Sequence, residues 1–148
     1  MKEVQGEISA RSKDRESLLA LLKETQSKFG YLSQELLAGL AESLGIPVSD
    51  VYGVATFYSF LSTRPLGRNV IRVCKSLPCY LKNSLSIINS VEQEIGIRPG
   101  GITLDGRFSF QLTNCIGACD KAPAMMINHD IYGNLTPEKI SRILAKYK

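Results

Sequence analysis

The run Val70-Ile71-Arg72-Val73-Cys74-Lys75-Ser76-Leu77-Pro78-Cys79 decides how the second half of this chain is read. Val70 to Cys74 alternates and is rich in β-branched side chains, so a strand is expected there. Past Lys75-Ser76 the pattern breaks, and the spacing predicts a loop that carries Pro78 to a second cysteine. Asn83 can then cap a helix in which Leu85, Ile88, Val91 and Ile95 recur at helical intervals, with Gly96 as its stop. Ile102 to Leu104 and Phe108 to Leu112 read as short strands about an Asp105-Gly106 turn, the first of them weak. A loop from Thr113 to Pro123 follows, then a strand over Ala124 to Ile127 and a turn region over Tyr132 to Leu135. Thr136-Pro137 is a helix start, and that helix runs to about Lys146. The order β-α-β-β-β-α predicts a small mixed sheet with helices packed on it.

Upstream the texture is helical. Leu18, Leu19, Leu21 and Leu22 share one face, extended by Phe29, and Gly30 stops the helix. Ser33 caps a second, carrying Leu36, Leu37, Leu40, Ala41 and Leu44 and closed by Gly45. Ser49 caps a third from about Asp50 to Leu61, with Val51, Val54, Ala55, Tyr58 and Leu61 as its stripe. Short connections between three helices predict a bundle. Arg64-Pro65-Leu66-Gly67 interrupts the pattern, so the expected organisation is a tail over residues 1–13, a helical bundle over 14–66 and a second domain over 67–148, an α+β chain overall.

Composition limits the function classes. Of 148 residues, 44% are apolar and 22% charged, enough for a real core and too balanced for disorder. The net charge of +4 is spread along the chain, which argues against nucleic acid and suits an acidic protein partner. No stretch nears the length of a membrane span, and the polar residues 1–13 do not read as a signal peptide, so no direct membrane insertion and a cytoplasmic location are expected. Thiols stay reduced in that compartment.

Four cysteines stand as two close pairs, Cys74 with Cys79 and Cys115 with Cys119, the pairs 36 residues apart. Each follows a predicted strand, where loops on a rigid scaffold carry site residues. Structural thiols would explain one buried cysteine but not two pairs. Disulfides are not needed by a cytoplasmic chain with this core. Metal is the preferred reading, with zinc and iron–sulfur both open. Zinc usually takes two-residue knuckles. Spacings of four and three are wider, and wider loops can wrap a two-iron cluster and aim backbone N–H groups at its sulfurs. Gly117 and Ala118, with small side chains, allow that approach.

Asp105-Gly106-Arg107-Phe108-Ser109, five further residues, then Cys115-Ile116-Gly117-Ala118-Cys119-Asp120-Lys121-Ala122-Pro123 resembles the signature of the thioredoxin-like [2Fe-2S] subunit of NADH dehydrogenases. The family includes the small subunit of the complex I NADH module and the matching subunits of electron-bifurcating hydrogenases and NAD-linked formate dehydrogenases. The spacing of Cys74 and Cys79 fits it, as do Gly45-Ile46-Pro47, Val51 through Tyr58 and Leu135-Thr136-Pro137-Glu138. The resemblance implies an N-terminal helical bundle followed by a thioredoxin-like [2Fe-2S] ferredoxin domain. It implies one [2Fe-2S] cluster on Cys74, Cys79, Cys115 and Cys119. It implies an electron-transfer subunit beside a flavoprotein that binds FMN and NADH, with further iron–sulfur subunits. Many members have Gly where Asn83 stands, and a capping Asn is expected to change little. The short tail favours a soluble bifurcating hydrogenase or formate dehydrogenase type over complex I, and a zinc-stabilised interaction module is the rival from another class.

Other residues carry less. His129, the single histidine, reads as a turn residue in its Asn-His-Asp context, not as one of the two histidines a Rieske centre needs. Tyr52, Phe57, Tyr58 and Phe60 read first as core packing of the third helix and second as a partner face. Lys75 and Lys121, beside cysteines, read as solvated surface. No Gly-rich nucleotide fingerprint and no catalytic triad occurs, so the chain is expected to have no catalytic residues and no substrate site of its own.

Overall fold

The computed structural model describes residues 17–147. The tail expected over residues 1–13 lies outside them. The chain divides into two compact units between Pro65 and Leu66.

The first unit holds α1 (Leu18–Phe29), α2 (Gln34–Leu44) and α3 (Val48–Phe57). Leu18, Leu21, Leu22, Leu32, Leu37, Leu40, Ala41, Val51 and Ala55 close into one apolar core. The Ser33 hydroxyl accepts the Leu36 N–H at 3.3 Å, satisfying one of the free donors at the start of α2. Gly30 and Gly45 end α1 and α2 at positive φ, as expected. Four expectations fail. Phe29 faces solvent. Pro47, not Ser49, stands at the N-cap of α3, since its fixed φ suits the entry to a helix. That helix stops at Phe57, where Tyr58 turns extended. Tyr52, Phe57, Tyr58 and Phe60 are all exposed, Phe57 at 78%, so the core reading of these aromatics is wrong. Val51 and Ala55 are the buried residues of α3 and Val54 packs beside them, as expected, whereas the aromatic positions fall off that stripe.

In the second unit, β1 (Asn69–Cys74), β2 (Phe108–Thr113), β3 (Met125–Ile127) and β4 (Asp130–Tyr132) form one sheet in the order β2-β1-β3-β4. Strands β1 and β2 are parallel and joined through α4 (Leu77–Leu81) and α5 (Ser84–Ile95). Strands β3 and β4 add antiparallel. All six residues of β1 are buried, as a central strand requires. Ile71, Val73, Phe108, Phe110, Met125 and Ile127 pack against Ile87, Ile88 and Val91 of α5 and Ile140, Ile143 and Leu144 of α6 (Pro137–Leu144). Each of these apolar side chains contributes about 1.5–3 kcal/mol by leaving water.

Several local expectations are corrected here. The segment after Cys74, expected as a loop, winds into α4, because proline is tolerated in a first helical turn. Ile102 makes an isolated bridge to Ser109 and no strand. Residues 130–132 are a strand, closed to β3 by the two-residue Asn128-His129 turn, with Asn128 at φ 54°. Asn83 stands at the N-cap of α5 but makes no side-chain cap; its backbone is left-handed, φ 65° and ψ 42°. That conformation favours Gly and tolerates Asn, and it is what the position demands.

Candidate metal centre

Parallel pairing of β1 and β2 brings distant cysteines together. Register sets Cys74, the last residue of β1, opposite Thr113, the last of β2. Both strands therefore end side by side, and Cys115 follows two residues later. The carboxyl ends of parallel strands are where such sheets place their sites. Strand β3 begins at the same end: Cys74 N–H donates to the Ala124 carbonyl at 3.1 Å, and Lys75 N–H to that of Thr113 at 2.9 Å. The cysteines are thus less loop-borne than expected. Cys74 closes a strand, Cys79 lies on α4, Cys119 opens a short 3-10 turn over Cys119–Lys121, and only Cys115 is in irregular chain.

The inner pair is dry. Cys74 and Cys79 are buried with Ala118 and Ala124, and Ile116 and Ala122 pack against them. Loss of water pushes the Cys79 thiol up to about 11 from its ordinary 9.0; a backbone hydrogen bond with Ala124 opposes this and the neighbouring Cys74 adds to it. The outer pair is exposed. Its sulfurs are 3.3 Å apart. The Gly117 N–H donates to Cys115 Sγ at 3.4 Å, and this bond, with a smaller contribution from Cys119, holds the Cys115 thiol below its usual range. Cys119, sharing that contact from the other side, is raised, and the charge of Cys74 also reaches it. Gly117 makes this arrangement at φ 82°, a region open to glycine.

These residues fit a two-iron cluster. The donors are all thiols and stand as two pairs, as a two-iron cluster would require with one pair for each iron; among the described residues no group of three His, Cys, Asp or Glu side chains stands ready to hold a metal ion. Backbone N–H groups of Gly117 and Ala124 reach sulfur, as the negative charge on thiolates requires. Small apolar Ala118 and Ala124 keep water from the inner pair.

The sequence profile described as thioredoxin-like [2Fe-2S] ferredoxin matches residues 4–148, nearly the whole chain. The chain belongs to that family, whose cofactor is a [2Fe-2S] cluster. A subunit of the NADH-quinone oxidoreductase of Escherichia coli K12 is 41% identical over 145 residues, covering 98% of this chain and 87% of that one. The HndA subunit of the NADP-reducing hydrogenase of Solidesulfovibrio fructosivorans is 37% identical over 130 residues, 88% of this chain and 76% of that one. An air-oxidised NAD+-reducing [NiFe]-hydrogenase superposes with a TM-score of 0.76 at 28% identity, over 88% of this chain but only 22% of that chain.

The sequence displays the four candidate thiols but not what braces them. Ala124 reaches both inner cysteines through its backbone, visible only once β3 is placed beside β1. A Cβ on Gly133 would collide with the Lys121 side chain and come 2.8 Å from the Lys121 carbonyl. That close packing holds the Cys119–Lys121 turn, where the Asn134 N–H donates to the same carbonyl at 2.6 Å. Lys75 and Lys121 are exposed, and His129 is an exposed turn residue.

Proposed function

We propose that this chain is an electron-transfer subunit of an NAD(H)-linked oxidoreductase, holding its [2Fe-2S] cluster on Cys74, Cys79, Cys115 and Cys119. The juxtaposition of two thiol pairs at the shared end of β1 and β2 carries the reading. When bound, such a cluster takes up and gives back one electron at a time. The inner thiols anchor, the buried alanines exclude water, and the N–H groups of Gly117 and Ala124 stabilise negative sulfur. Hydride chemistry belongs to a partner flavoprotein that binds FMN and NADH, with further iron–sulfur subunits beyond it. The relatives support this, being subunits of an NADH-quinone oxidoreductase and of an NADP-reducing hydrogenase. Relatives of both kinds match over similar lengths, so the preference for the soluble bifurcating hydrogenase or formate dehydrogenase type over the complex I type gains no support from them. A cytoplasmic site of action accords with the absence, among the described residues, of any helix long and apolar enough to cross a membrane. The test is reduction of the anaerobically purified chain by NADH, followed by EPR. Reduction only when the flavoprotein subunit is added supports the carrier role. Failure to reduce with that subunit present, although dithionite succeeds, overturns it.

A further inference from the structure

Strand β1 sorts its side chains to two faces. Ile71 and Val73 join the core formed with α5 and α6. Arg72 and Cys74 alternate with them onto the opposite face, where Cys74 belongs to the separate apolar group of Cys79, Ala118 and Ala124. Arg72 thus stands two residues before a candidate ligand and on the same side of the sheet, the two Cα atoms about 6–7 Å apart. Register sets it between Gln111 of β2 and Met126 of β3. It is the single charged residue of those three strands. It is 6% exposed, and its Nε is shut from water. Arginine is seldom buried so far, because its charge gives up hydration. Burial lowers its pKa, yet a guanidinium stays charged throughout the neutral range.

We infer that Arg72 is a fixed, buried positive charge that raises the reduction potential of the centre, so that an electron is accepted more readily. The inference rests on the electron-transfer role and the four-thiolate cluster proposed above. A [2Fe-2S] cluster on four thiolates is already anionic, and the one electron it accepts from a reduced flavin or iron–sulfur partner adds a further negative charge. A positive charge close by favours the more negative form, and most strongly where neither water nor salt can screen it. Lys75, Asp120 and Lys121 stand at the same end of the sheet, but they are of both signs and exposed, so each contributes less. The direction of the effect does not depend on what the guanidinium hydrogen-bonds. A neutral replacement leaves the surroundings of the thiols with one positive charge fewer in every case.

The test is an EPR-monitored redox titration of the full-length chain, purified anaerobically, with iron counted per chain. Arg72→Met is expected to titrate at a more negative potential than wild type. At a fixed ambient potential its reduced-to-oxidised ratio should fall about tenfold, the size that a unit charge gives over roughly 10 Å at the effective dielectric of a protein. Iron content and the signal at full dithionite reduction should not change. Arg72→Lys keeps the charge and should titrate close to wild type. Arg72→Gln, neutral but able to hydrogen-bond, should follow Arg72→Met, which separates lost charge from lost hydrogen bonds. The shift should persist as salt rises, whereas the smaller shift of Lys121→Met, at an exposed site, should shrink. A neutral variant with full iron that titrates with wild type overturns the inference and leaves the carrier role standing. So does Arg72→Lys titrating with the neutral variants. Loss of iron from both neutral variants makes Arg72 a structural support of the site and overturns the inference as well. A wild-type chain that holds no dithionite-reducible cluster overturns the carrier role itself.

Discussion

The two halves of the candidate centre are built differently. Cys74 and Cys79 come from a central strand and a helical turn and are buried in an apolar group. Cys115 and Cys119 are themselves exposed, on an irregular loop and a 3-10 turn that Ile116, Ala118 and Ala122 pack onto the inner pair, and single backbone bonds and the close packing of Gly133 on Lys121 hold the rest. The difference teaches that the sheet fixes one half of the site, and that on the proposed reading a bound cluster would order the other. Burial raises the inner thiol, whereas an N–H donor lowers an outer one.

The largest expected effect separates the pairs by hydrogen exchange. Removing the cluster should strip protection from amides 115–123 and leave those of 69–74 largely protected, because β1 is bonded on both sides. Equal loss in both segments would break the comparison. Next, Gly133→Ala should cost about 1–3 kcal/mol of stability by urea unfolding, since overpacking here must move backbone, and should lower iron retention. An unchanged iron content would mean the outer loop is not braced from Gly133.

Legibility in the sequence followed how local each signal is. Gly30, Gly45 and Gly96 end helices at φ 82°, 64° and 70°, and one residue suffices to announce such a stop. Thr136-Pro137 likewise opens α6. The two close cysteine pairs were legible from their spacing, and their reading as one ligand set came from the long signature around Cys115. Helix α4 was not, because Pro78 reads as a breaker although it sits in a first turn. Strand β4 was hidden by its three-residue length. The aromatics of residues 52–60 misled because large apolar rings suggest burial while their phase on the helix points outward. Ala124 and Gly133 act through tertiary proximity that no local pattern encodes.

Two smaller effects sharpen the contrast. In iron-free chain Cys79 is protonated in the fold and ionises near 11, whereas the unfolded thiol ionises near 9.0. The unfolded chain thus loses its proton first. The associated stability is full below about pH 9 and is lost as pH rises through about 11. Cys79→Ala should flatten that alkaline decline in urea midpoints, and Cys115→Ala should not. Smallest is Asn83. At its left-handed position Asn83→Gly should be neutral to slightly stabilising and Asn83→Ala should cost about 1 kcal/mol. An equal result for both would return Asn83 to a side-chain cap.

The most direct measurement is an iron anomalous difference map from crystals of the anaerobically purified chain. The account predicts two iron peaks, one bound by Cys74 and Cys79 and the other by Cys115 and Cys119. A single metal peak, or an iron held by any residue outside those four, would contradict it.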